Sequence, residues 1–182
     1  MTEEKLTLKD AVEARGPLAM WDLMTEDEKK QAAAALWVNA DRESRMAVEM
    51  MVAKEMKFRP QSVRKLSAEK VAPRLARIAA EMPATAFFQF LFHFHMAEGR
   101  ELMVEYLDAV GLPHQDGVLD LPDEFEAPTA EAVAGPARDL IVKHGREALV
   151  YLGTLAVADA AFWEGMLDVL ADWDEEGEAV GE

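Results

Sequence analysis

The chain has 182 residues, no cysteine, 35 acidic against 19 basic side chains and a formal net charge of −16. Without cysteine it holds no disulfide, no thiolate zinc site and no cysteine nucleophile, and a hydrophobic share of 51% with eight Phe and four Trp is too rich for a chain that stays unfolded. No apolar run nears the ~20 residues of a membrane span, and the polar start at residues 1–5 has no secretory signal. Together these features read as a soluble, cytoplasmic protein.

The charge is unevenly spread. Residues 1–82 hold 15 Lys and Arg against 14 Asp and Glu, a net of +1, and residues 83–182 hold 4 against 21, a net of −17. The second part should repel phosphate backbones and acidic membranes, whereas the first need not.

Residues 5–14 suit a short helix ended by Gly16-Pro17, and Trp21 in the next turns suits a core anchor. Thr25-Glu26-Asp27-Glu28 is a helix start with a capping Thr, a Glu three residues on and an acidic first turn. Asp41 can cap a second helix through Met56, so residues 25–56 are expected as a helical hairpin rather than one rod. Met46, Met50, Met51 and Met56 read first as core filling, and in a sharper reading as an adaptable binding groove. Phe58-Arg59-Pro60 breaks that helix. Ser67 caps the next, which carries Pro73 and runs to about Met82. Between Lys54 and Arg77 lie eight basic residues against Glu55 and Glu69, a local +6.

Residues 84–97, with Phe87, Phe88, Phe90, Phe92 and Phe94, read as a helix apolar nearly all round and therefore central to the core. A buried strand is the rival reading, because Phe90, Phe92 and Phe94 alternate with Leu91 and His93. Gly99 marks a bend before a helix over 100–110. Residues 111–128 read as a long acidic connection. Helices are expected over 129–143, over 146–153 and over 156–173, split near Gly153. The expectation is an all-α fold, a compact multi-helix bundle or a short array of helical hairpins with about seven to nine helices. One domain spans 1–173, followed by an acidic disordered tail at 174–182.

Chemistry is sparse. His93, His95 and Glu98 are candidate metal ligands, since His95 and Glu98 share a helix side, but carboxylate-bridged bundles use Glu-x-x-His and this chain has the reverse order. His114 and Asp116 could hold a proton or a cation, against a plain Pro- and Gly-shaped turn. Lys57, Arg59, Arg64 and Lys65 are the candidate binding cations of the basic segment, against a solvated face. No phosphate-cradling glycine loop, dinucleotide fingerprint or nucleophile elbow occurs. The composition favours a non-enzymatic protein–protein interaction module, adaptor or self-assembling, with a charge-split surface. Its expected partner is another protein or a second copy, with no cofactor and no membrane, and with the acidic total weighing against nucleic acid. The alternatives are a metal-binding bundle using His93, His95 and Glu98, and a nucleic-acid or phosphate-ligand binder using Lys54–Arg77.

Overall fold

The computed structural model describes residues 6–180, so the leader reading at 1–5, the first residue of the expected 5–14 helix and the last two of the expected tail lie outside the described residues. The described chain is all-α. In order the helices are α1 (Leu8–Arg15), α2 (Pro17–Leu23), α3 (Glu26–Asn39), α4 (Arg42–Met56), α5 (Pro60–Val63), α6 (Ala68–Ile78), α7 (Ala84–Glu98), α8 (Arg100–Val110), α9 (Ala130–His144), α10 (Arg146–Ala158) and α11 (Met166–Leu170). Nine of these eleven have seven residues or more, and one short hairpin pairs β1 (His114–Gln115) with β2 (Val118–Leu119).

The chain divides into two compact units. One is Met24–Ala97; the other takes the chain up to Leu23 and from Glu98 onward. The division follows the charge. The Met24–Ala97 unit holds 12 Lys and Arg against 9 Asp and Glu, a net of +3; the remainder holds 7 against 26, a net of −19.

In the Met24–Ala97 unit, local signals set the helix starts. The Thr25 hydroxyl accepts the Glu28 N–H at 3.2 Å while the Glu28 carboxylate accepts the Thr25 N–H at 2.7 Å, a reciprocal cap that satisfies two orphan donors. The Asp41 carboxylate accepts from the N–H groups of Glu43 and Ser44 at 2.9 and 3.0 Å, so α3 and α4 are separate helices. The core of this unit is α3 against α6. Ala32, Ala33, Ala35 and Leu36 are buried on one side and Val71, Ala72, Leu75 and Ile78 on the other. Small alanines let two helices approach closely, and the aliphatic side chains fill the remaining space. Trp37 is buried beside them, its indole N–H donating to the Leu66 carbonyl at 3.3 Å.

In the other unit α10 is the central helix. Eight consecutive or near-consecutive residues, Ala148 to Thr154 and Ala156, are buried, and α2, α9 and α11 all pack against it. Gly153 lies where α2 comes closest: a Cβ there would stand 1.9 Å from the Met20 sulfur. The expected break at Gly153 is therefore absent. α10 runs through it, and the chain turns only at Asp159.

The expectation that residues 84–97 form an all-buried helix also needs correction. They are helical, but Phe87, Phe90, Leu91 and His95 are the buried side chains of α7, while Phe92 is exposed. The segment 111–128 is not wholly irregular, since it contains the β1–β2 hairpin. Asp116 and Gly117 form its turn with φ of +50° and +82°, the primed geometry that matches strand twist. Residues 174–180 are tied down rather than free. The Glu175 N–H donates to the Leu6 carbonyl at 3.2 Å and the Val180 N–H to the Asp172 carbonyl at 2.8 Å.

Candidate functional site

The most concentrated charge chemistry lies on α4. Helix spacing puts Arg42, Arg45, Met46 and Glu49 on one side, and Arg64, just after α5, joins them. These five residues line a half-open cleft of about 360 Å³. Glu49 is the buried member, with its side chain only 3% exposed. Arg64 grips it with both arms, Nε at 3.0 Å and Nη2 at 2.9 Å from Oε2, and Arg45 Nε adds a contact at 3.3 Å to Oε1. A buried carboxylate is tolerated only when paired and hydrogen-bonded, and this one is. The Glu49 carboxylate in turn holds the Arg64 guanidinium above its already high ordinary pKa, through hydrogen bonding first and charge second. The Arg45 guanidinium also lies 5.3 Å from the centroid of the Trp37 ring, a cation–π placement. Arg42 makes no ion pair with any described residue. Three cations against one anion leave a local charge of +2.

Along α4 from this cleft runs an exposed row: Met46, Met50, Lys54 and Lys57, at spacings of four, four and three, followed by exposed Phe58. Met46 and Met50 are 51% and 64% exposed, so these two methionines are not core filling, whereas Val48, Val52 and Ala53 of the same helix are buried. Lys57 ends the helix in the left-handed conformation with φ of +55°. Of the four candidate cations, Arg64 is the one in the cleft. Lys57, Arg59 and Lys65 are exposed, and none of the three lines the cleft.

The proposed metal ligands do not converge. Among the described residues, the group of three whose ligand atoms lie within 4.8 Å of one another is Asp174, Glu176 and Glu178, not His93, His95 and Glu98. His95 is 4% exposed; burial pushes its pKa down to about 4, with the charge of Glu28 opposing the shift. His93 is half-buried and is also shifted down by burial, with Asp41 working against the shift. Glu98 is exposed at the end of α7. The Asp174 group has its own structural explanation: the Asp174 carboxylate accepts the N–H groups of Glu176 and Glu178 at 3.0 and 2.8 Å, which folds the turn.

His114 opens β1 and Asp116 stands in the hairpin turn, each with its own partners. His114 Nδ1 accepts the Gly117 N–H at 3.2 Å, so Nε2 carries the proton and donates to Asp108 Oδ1 at 3.0 Å. Arg100 Nη1 donates to the Asp116 carbonyl at 2.7 Å and lies 3.2 Å from its carboxylate. Both side chains pin the hairpin to α8, which is a structural task. The Arg42–Arg45–Glu49 spacing was open to sequence reasoning, but Arg42 and Arg45 fall before the basic run and no local pattern marks Glu49 as buried.

The chain matches no protein family, no curated protein and no solved structure.

Proposed function

We propose that the chain is a non-enzymatic interaction protein whose docking face is the outer row of α4, and whose partner is an acidic protein segment with apolar anchors. The observation that carries this reading is the row Met46, Met50, Lys54 and Lys57, exposed together and continued by Phe58. Methionine is unbranched and polarizable, so an exposed pair one helical turn apart offers an adaptable apolar seat. The lysines beyond it supply steering and register toward carboxylates. The unit bearing the row is net basic while the rest of the chain is strongly acidic, which biases an acidic partner toward this unit.

The test is a photo-crosslinking amino acid at position 50 of the full chain, compared with one at position 142. Val142 is 85% exposed but lies on the acidic unit. Position 50 should yield a discrete adduct with an acidic protein, lost in Met46→Asp and on raising salt from about 0.05 to about 0.5 M. No adduct at 50, or the same adduct from both positions, overturns the reading.

A further inference from the structure

The cleft beside that row poses a separate question. Replacing a buried ion pair by apolar residues of similar size is often neutral or stabilising, so stability alone does not explain a charged centre at Glu49. Its effect on the neighbours is clearer. Through Glu49, Arg64 is held in a two-armed grip and Arg45 is fixed between the carboxylate and the Trp37 ring. Both guanidiniums are therefore ordered before any ligand arrives, which lowers the entropy cost of binding. Arg45 is joined to Glu49 through Nε, so its terminal nitrogens remain as donors beside Arg42. The volume, about 360 Å³, is at the small end of the range of about 300–1,000 Å³ for small-molecule sites.

We infer that the cleft bounded by Arg42, Arg45 and Arg64 binds a phosphate dianion, with Glu49 as the positioning residue that orders two of the three guanidiniums. The charge match selects the ligand. The lining leaves +2, and a phosphate monoester carries about −1.5 to −2 near pH 7, whereas a carboxylate or a phosphodiester carries only one negative charge. Guanidinium forks suit the several oxygens of a tetrahedral anion. This inference does not rest on the docking role of Met46 and Met50, because its ligand contacts are the arginines alone.

The experiment is calorimetric titration of the full chain with inorganic phosphate at low ionic strength and pH 7.5, with acetate and dimethyl phosphate as monoanion comparisons. Phosphate should bind saturably at one site and more tightly than either monoanion. Arg64→Gln risks unfolding the unit by leaving the buried Glu49 carboxylate with Arg45 alone against it, so the deciding variant is Arg42→Gln, whose side chain is exposed. It should weaken phosphate roughly tenfold or more, the usual loss for a charged hydrogen bond. Lys70→Gln, an equal charge change at an exposed site outside the cleft, should leave binding unchanged. Non-saturable heats, equal affinity for acetate, or equal weakening by Lys70→Gln would each overturn the inference.

Discussion

Glu49 and Arg64 form an asymmetric pair, with side chains 3% and 58% exposed. Removing the acid releases Arg64 into water, while removing the arginine leaves a carboxylate in the core with only Arg45 against it. Arg64→Met should therefore cost more than Glu49→Gln, up to about 3 kcal/mol, and urea midpoints of the two variants will show the order. His95 makes a second prediction at this scale. Its folded pKa is about 4 against about 6.5 in an unfolded chain. Above pH 6.5 both states hold neutral imidazole and the native preference is complete. As pH falls from 6.5 toward 4 the unfolded chain takes up the proton first, so stability is lost across that window, by about 3 kcal/mol in total at 1.36 kcal/mol per unit. His95→Gln should flatten the acid limb of a plot of urea stability against pH. An unchanged slope would place the acid sensitivity elsewhere. The sequence singled out His95 for its neighbours but could not show how deeply it is buried.

At the scale of elements, helix starts were legible because Thr25, Asp41 and Thr129 cap through local hydrogen bonds, and local signals survive without knowledge of the fold. Interior positions were not. The phenylalanine run of α7 looked more central than α10 because mean apolarity ignores fit. The apolar run of α10 contains Gly153-Thr154, which resembles a break until α2 is laid against it. Gly153→Ala should therefore clash with Met20 and cost about 1–3 kcal/mol, the usual price of overpacking, measurable as a lower thermal midpoint. The hairpin was half legible. Asp116-Gly117 reads as a turn, but strands of two residues carry no alternation to detect. At Gly117 a Cβ would stand 2.8 Å from Met103 Cβ, and the positive φ adds strain for any other residue. Gly117→Ala should loosen the hairpin from α8, seen as faster amide exchange at His114–Leu119, with little change in the Met24–Ala97 unit.

For the whole molecule, charge was the most legible property and the least specific. The sequence placed its divide near residue 82, whereas the structure assigns the balanced and basic stretch to Met24–Ala97 and returns the first helices to the acidic remainder. That regrouping depends on long-range packing, such as the Leu8 N–H donating to the Trp173 carbonyl at 2.6 Å, which no local pattern announces. The exposed row of α4 was legible as methionines at helical spacing, but which of them face water was decided by α4 burying Val48, Val52 and Ala53 instead. If the proposed reading holds, unit charge and row together select the partner. The most direct test is the affinity of the protein captured at position 50, measured against the full chain over a range of salt and again with Lys54→Glu and Lys57→Glu. The affinity should fall steadily with salt, and the charge-reversed chains should bind more weakly and lose most of their salt dependence. A salt-independent affinity, or one unmoved by charge reversal, would contradict it.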